Sequence, residues 1–133
     1  MGRNFWVGQQ EFGPSNWTAG AITPHVDVDE DEEGVQIFVE LAGVSEQDIQ
    51  LALDSGVLTV FGEKHPHNKQ EWQRNRYLAE RSFGTFRRSI NLPYGLNEDA
   101  AEAEFDNGVL SVRIPWYKEI DTPRGKRISI KPR

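Results

Sequence analysis

The sequence predicts an all-β protein with the immunoglobulin-like antiparallel β-sandwich fold, and three observations carry that prediction. Short alternations of apolar and polar residues recur about every ten residues, as they do in sandwiches of about seven to nine strands. No stretch has the 3.6-residue periodicity of a long helix. Asn107-Gly108 is a strong hairpin signal, because a type I′ turn needs positive φ at both central residues.

Each predicted strand is an alternating segment that ends at a turn residue or a proline. Leu110, Val112 and Ile114 point one way until Pro115 removes the next backbone donor. Ser45 stands three residues before Asp48, which predicts a capped single turn. The predicted strands contain residues 26–28, 35–41, 49–53, 58–61, 86–92, 101–105 and 110–114.

The domain organisation follows from changes in composition along the chain. We expect a short aromatic, flexible N-terminal arm over 1–22, one domain over 23–117, and a basic C-terminal extension over 118–133. A polar, turn-rich segment at about 62–80 is too long for a hairpin loop. Its second half, 72–80, predicts a short strand that pairs outside its own sheet.

Composition and charge exclude several classes of function. The 133 residues include no cysteine, which excludes a disulfide framework and thiol catalysis. The net charge of −6 and pI near 5 argue against nucleic-acid binding. No apolar run reaches the ~18 residues of a membrane span, and we expect a cytoplasmic protein without integral membrane association.

Charge is divided unevenly between the two halves of the chain. Residues 1–60 contain one Arg and eleven acids, a net charge of −10, whereas 61–133 contain fourteen Lys or Arg and ten acids, a net charge of +4. Such asymmetry favours association between like subunits.

Catalytic and metal-binding patterns are not found in the sequence. His65-Pro66-His67 has no further ligands at a metal-site spacing, so a solvated loop pair is favoured. An EF-hand loop starting at Asp27 would need Gly and Glu where the chain has Glu32 and Phe38, which favours a solvated acidic turn. Nucleotide-binding loops and nucleophile elbows are also missing. We therefore expect no enzyme, no bound metal and no cofactor.

Ala103 followed by Asn107-Gly108-Val109-Leu110 resembles the A-x-x-x-N-G-V-L signature of the small heat-shock proteins, the α-crystallin/Hsp20 family. Two departures are Ala42, where the family often has Pro, and Trp116, where Lys often follows Ile-Pro. Further matching motifs are Pro24 with Val26-Asp27-Val28, Glu40-Leu41-Ala42-Gly43-Val44, Asp48-Ile49, Gly56-Val57-Leu58 with Gly62-Glu63-Lys64, Glu80-Arg81-Ser82-Phe83-Gly84-Thr85-Phe86, Leu92-Pro93 and Ile114-Pro115.

The resemblance implies an α-crystallin domain and an ATP-independent holdase, a chaperone that captures partly unfolded client proteins. It also implies dimers that exchange a strand from the long loop, and a homo-oligomer larger than a dimer. Candidates for the exchanged strand and its interface are Trp72, Arg76, Tyr77, Leu78, Glu80, Arg81 and Arg88, and candidates for client binding in the arm are Phe5, Trp6, Phe12 and Trp17.

Ile128-Ser129-Ile130 resembles the family's I-x-I tail motif. With a period of two, both isoleucines project to one side of an extended segment. The resemblance implies that a groove between two strands receives them, lined by Ile49, Leu51, Leu53, Ala101, Ala103 and Phe105.

Two other functions are consistent with a β-sandwich. One is a carbohydrate- or peptide-binding module with a stacking platform of Trp72, Tyr77, Trp116 and Tyr117. The other is a co-chaperone adaptor of the p23 type, against which the I-x-I tail and the long strand-bearing loop argue.

Overall fold

The structure, a computed structural model, describes residues 19–20, 22–66, 77–118 and 128–132. Seven strands lie in these residues, in two sheets, together with 3-10 helices at Glu46–Asp48 and Glu98–Ala100. The strands are β1 (Val26–Glu30), β2 (Gly34–Glu40), β3 (Ile49–Asp54), β4 (Val57–Lys64), β5 (Gly84–Asn91), β6 (Glu102–Asp106) and β7 (Val109–Pro115).

The chain divides into two compact units. One unit comprises Met1–Pro24, Gly43–Leu51 and Val60–Arg88. The other comprises His25–Ala42, Ala52–Thr59 and Ser89–Arg133.

A four-stranded antiparallel sheet lies in the second unit, in the order β1-β2-β7-β6. Its register aligns Val28 with Ile37, Ile37 with Val112, and Val112 with Ala103. The predicted alternation is confirmed in the two central strands, where one side of each is buried. The buried residues are Val35, Ile37 and Val39 in β2 and Leu110, Val112 and Ile114 in β7.

The hairpin between β6 and β7 has the backbone that a type I′ turn requires. Asn107 has φ of 52° and Gly108 has φ of 76°, as the Asn-Gly pair predicts. A Cβ on Gly108 would lie 3.2 Å from Cα of Ala42, and the Gly108 carbonyl accepts a 2.7 Å hydrogen bond from the backbone N–H of Leu41. Glycine at this position therefore provides both the turn and a close backbone approach.

The second sheet has three strands in the order β3-β4-β5. At Gly62 the backbone of β4 lies close to Asp48 and Phe86, which is possible only because glycine has no side chain. A Cβ on Gly62 would overlap the carbonyl oxygen of Asp48 and would lie 2.9 Å from Cζ of the buried Phe86. The unit that contains Gly62 and Phe86 also buries Val44, Val60 and Phe83.

One local prediction differs from the structure. The single turn after Ser45 forms at Glu46–Asp48, but the Ser45 side chain makes no capping hydrogen bond. The backbone satisfies the turn instead, because Asp48 N–H donates to the Ser45 carbonyl at 2.8 Å. The predicted strand at 72–80 lies partly outside the described residues, and 77–80 form no strand within this chain; because that strand is predicted to pair with another chain, it stays a prediction.

Candidate functional site

The predicted groove residues of β3 lie on an edge strand of the three-stranded sheet. Ile49 and Leu53 are half-buried, and Leu51 is 38% exposed. β3 therefore has an apolar row, at every second residue, that its own chain covers incompletely.

The predicted groove residues near β6 lie on or beside an edge strand of the four-stranded sheet. Ala101, just before β6, and Phe105 are half-buried, and Ala103 is exposed. Glu102 and Glu104 alternate with them and are exposed. This edge thus has an apolar row on one side and an acidic row on the other. The assignment of the β3 and β6 rows to a single groove stays a prediction.

The predicted tail motif is fully accessible in the described chain. Ile128 is 80% exposed and Ile130 is 94% exposed. Residues 128–132 form no strand with the other described residues. Leaving two large apolar side chains in water forgoes burial energy, so these positions are available to a partner surface.

The predicted dimer segment is only partly described. Trp72 and Arg76 lie outside the described residues, as do all four candidate client-binding aromatics of the arm, Phe5, Trp6, Phe12 and Trp17. Of the described members, Tyr77 is fully exposed, and Leu78 and Glu80 are also exposed.

The two candidate interface arginines have contacts within the chain. Arg88 Nη1 donates a 2.8 Å hydrogen bond to the Pro24 carbonyl. The Arg81 guanidinium carbon lies 5.1 Å from the centroid of the Phe83 ring, a cation–π distance. Roles of both residues in an interface remain predictions.

His65 and Lys64 lie at the end of β4 in a polar cluster. His65 is half-buried: its Nε2 is 3.3 Å from Glu63 Oε1, and its Nδ1 is 3.9 Å from Asp48 Oδ2. The prediction of a fully solvated histidine pair is therefore wrong for His65, because carboxylates from two elements flank its ring. His67 lies outside the described residues. Burial, and then the nearby charge of Arg81, lower the pKa of Lys64 below its ordinary 10.5.

The acidic segment after β1 is explained by a turn. Asp31 Oδ1 accepts hydrogen bonds from the backbone N–H groups of Glu33, at 2.8 Å, and Gly34, at 3.2 Å, the local bonding typical of an Asx turn. Across the described ranges, no group of three or more acidic, His or Cys side chains is arranged to hold a metal ion. The described segments also include no helix that could span a membrane.

Two residues have roles that the sequence analysis missed. Trp116 is half-buried and held on two sides, because its Nε1 donates to the Asp31 carbonyl at 2.9 Å and its backbone N–H donates to the Glu33 carbonyl at 3.0 Å. A stacking platform uses the face of the ring and not the N–H, so the carbohydrate- or peptide-binding alternative stays a prediction. Val28 is 43% exposed on the edge strand β1. Val28 therefore gives this sheet edge an exposed apolar side chain. The sequence signal was the alternation of Val28 with Asp27 and Asp29.

Comparisons with known proteins agree with this architecture. A model of the Hsp20/alpha crystallin family matches residues 27–131. The chain is 38% identical over 120 residues to small heat shock protein C2 of Rickettsia felis, covering 90% of this chain and 75% of the relative. It is 39% identical over 118 residues to heat shock protein 16 of Schizosaccharomyces pombe, covering 88% and 81%.

Solved structures align over most of the chain. Heat shock protein 16.0 from Schizosaccharomyces pombe aligns with a TM-score of 0.67 and 40% identity, covering 83% of this chain and 99% of that one. A small heat-shock protein from Xylella fastidiosa, whose crystal structure reveals a distinct high order structure, aligns with a TM-score of 0.62 and 29% identity, covering 87% and 100%. These likenesses confirm the predicted fold class, the α-crystallin β-sandwich.

Proposed function

Because this chain belongs to the Hsp20/alpha-crystallin family, we propose that it is an ATP-independent holdase that binds partly unfolded proteins and prevents their aggregation. The observation that carries the proposal is the apolar surface at the sheet edges and in the tail. Leu51 on β3 is exposed, as are Ile128 and Ile130 in the tail. Such surface can bind the apolar segments that unfolding proteins expose. The proposed function is binding and needs no catalysis.

Assembly occurs through the tail in this proposal. Ile128 and Ile130 of one chain dock against the apolar rows of β3 and β6 in another. Burial of the two side chains contributes roughly 3–6 kcal/mol at best, about 1.5–3 kcal/mol each, and ordering the tail removes part of that. One tail binds weakly, whereas several tails in a closed assembly act at high effective concentration. The oligomer is then stable as a whole and opens locally to expose its grooves.

The dimer forms by exchange of the segment 72–80, which pairs with a sheet edge of the partner. The edge strand β1 is the candidate acceptor, because Val28 gives it an apolar strip and Asp27 and Asp29 give it exposed negative charge. The exchanged segment contains Arg74 and Arg76 at alternate positions. Opposite charges on paired strands stabilise the pairing modestly, by roughly 0.2–1 kcal/mol per pair.

The proposed chain has three parts: an arm at 1–22, a domain at 23–117 and an extension at 118–133. The arm supplies aromatic contacts to clients. We expect the protein to act in the cytoplasm, as a homo-oligomer, without nucleic acid.

The holdase activity is tested by light scattering of a heat-labile client protein, with ATP omitted. The proposal predicts that the chain suppresses client aggregation at a ratio near one subunit per client. A variant with Phe12→Ser and Trp17→Ser tests the arm and should lose part of the suppression. An equal mass of an unrelated β-sandwich protein is the control. Client aggregation that proceeds unchanged at every ratio would overturn the proposal.

A further inference from the structure

The acidic side of β6 forms no ion pair in the described part of the chain, although Asp106 Oδ2 accepts a 3.5 Å hydrogen bond from Asn107 Nδ2. Glu102, Glu104 and Asp106 alternate along this edge strand, and all three are exposed. The residue opposite Glu102 in the register is Arg113. Arg113 instead forms an ion pair with Glu33, with Nη2 3.1 Å from Oε1. Glu104 is opposite Ser111 and Asp106 is opposite Val109. Among the described residues, neither Glu102 nor Glu104 forms an ion pair.

The tail has the complementary pattern. Isoleucines at 128 and 130 alternate with Arg127, Ser129 and Lys131, so an extended tail has an apolar side and a basic side. Lys131, like both isoleucines, is exposed in the described chain. The edge of β6 and the tail therefore match twice, in apolar character on one side and in charge on the other.

The spacing of the charges also matches. Arg127 and Lys131 are four residues apart, about 13 Å in an extended chain at roughly 3.3 Å per residue. Glu102 and Asp106 are also four residues apart, and Glu104 between them would then face Ser129. A tail paired with β6 can therefore place Arg127 and Lys131 next to carboxylates while both isoleucines lie on the apolar side. This holds for a parallel and for an antiparallel tail.

We propose that the acidic row of β6, Glu102, Glu104 and Asp106, is a second recognition element that binds the basic side of the C-terminal tail, Arg127 and Lys131, of another copy of this chain. The inference rests on the proposed docking of Ile128 and Ile130. The isoleucines supply most of the binding energy, because exposed ion pairs contribute little each. The charges fix the register and select this tail against tails with acidic flanks.

The experiment is a charge swap in the full-length chain, read as the protein concentration at which the oligomer is half dissociated. Glu102→Lys with Asp106→Lys, or Arg127→Glu with Lys131→Glu, should each raise this concentration about three- to tenfold. All four changes together should recover most of the loss. The matched control, Glu40→Lys with Glu46→Lys, makes the same change in net charge at exposed positions outside β3 and β6 and should have little effect.

Salt supplies a second readout. From about 50 mM to about 500 mM NaCl, screening should weaken assembly of the natural chain. In the Glu102→Lys, Asp106→Lys variant, higher salt should strengthen assembly instead, because salt then screens a repulsion. If that variant misfolds by circular dichroism, Arg127→Glu with Lys131→Glu changes only the tail and still tests the inference.

The outcomes separate this inference from the proposed function. If Ile128→Ser with Ile130→Ser leaves the oligomer intact, tail docking itself fails and the inference with it. If that variant dissociates but the β6 and tail reversals change nothing, only the inference is overturned. It is also overturned if each reversal weakens assembly and the four changes together recover nothing.

Discussion

The indole Nε1 of Trp116 donates a 2.9 Å hydrogen bond to the backbone carbonyl of Asp31, which lies 85 residues earlier in the chain. This bond ties the end of β7 to the turn between β1 and β2. A second tie comes from the backbone, where Tyr117 N–H donates to the Gly95 carbonyl at 3.0 Å. The basic extension therefore begins from a point that is anchored to two other segments of its unit.

Replacing Trp116 tests the contribution of this anchor. Trp116→Phe keeps an aromatic ring and removes the donor, and should lower the free energy of unfolding by about 1 kcal/mol. Trp116→Ala also removes the packed ring and should cost about 2–3 kcal/mol, because the side chain is only half-buried. Urea denaturation at fixed protein concentration measures both. Equal stability of the Phe variant and the natural chain would show that the hydrogen bond contributes nothing.

The turn between β6 and β7 gives a second prediction. Asn107 has φ of 52°, which Gly adopts freely and β-branched residues adopt at high cost. Asn107→Gly should change the free energy of unfolding by less than about 0.5 kcal/mol, whereas Asn107→Val should lower it by about 2 kcal/mol. Thermal and urea denaturation of the two variants provide the comparison. A Val variant as stable as the Gly variant would contradict the type I′ assignment.

Gly62 gives a third prediction. A methyl group there would overlap the Asp48 carbonyl and press on the Phe86 ring, so Gly62→Ala should lower the free energy of unfolding by about 2 kcal/mol through overpacking. Gly56→Ala is the comparison, because its Cβ would meet only the Leu92 carbonyl at 4.0 Å while its φ is +81°. It should cost about 1 kcal/mol. The reverse order of the two costs would refute the close approach at Gly62.

The pKa of Lys64, lowered mainly by burial, predicts how the free energy of unfolding changes with pH. Its pKa is lowered in the folded chain, so above that pKa the unfolded state binds more protons than the folded state. The contribution of Lys64 to the free energy of unfolding therefore rises with pH, between the lowered pKa and the ordinary 10.5. At a pH below both pKa values, Lys64 is charged in both states and the folded state carries the full cost of burying that charge.

Lys64→Met removes the charge and keeps the stem. The substitution should stabilise the chain most at a pH below the lowered pKa of Lys64, and the advantage should shrink as the pH rises from that pKa towards 10.5. Denaturant titrations at a series of pH values measure this difference, and Lys118→Met, at an exposed position, is the control. An advantage that stays constant with pH would contradict the effect of burial on Lys64.

Alternation predicted the buried face of the central strands correctly, because a strand with one side in a core must repeat with a period of two. Val35 to Val39 and Leu110 to Ile114 follow this rule. The same alternation at Val28, Leu51 and Ala103 does not tell whether the chain's own residues cover the apolar side. That depends on which strands become sheet edges, and edge positions are set by tertiary pairing.

Contacts between residues distant in sequence were the least predictable part. Asp48 contributes a carboxylate beside His65, and no local pattern joins the two residues. The sequence marks Trp116 as a departure from a family motif and as a candidate for a stacking platform, but neither pattern predicts that its indole reaches the carbonyl of Asp31. The motif Ile128-Ser129-Ile130 was recognisable because its chemistry lies in a local repeat, whereas the groove residues depend on the fold.

The central claim is that the tail isoleucines hold dimers together in a larger assembly. The most direct test is the mass in solution, by size exclusion with light scattering, of the intact chain and of Ile128→Ser with Ile130→Ser. Ile120→Ser, in the same extension but outside the motif, is the matched control. We predict an intact chain larger than a dimer, an unchanged control, and a double variant that falls to a dimer. An equal mass for the intact chain and the double variant would contradict tail docking, and monomers in both cases would contradict strand exchange as well.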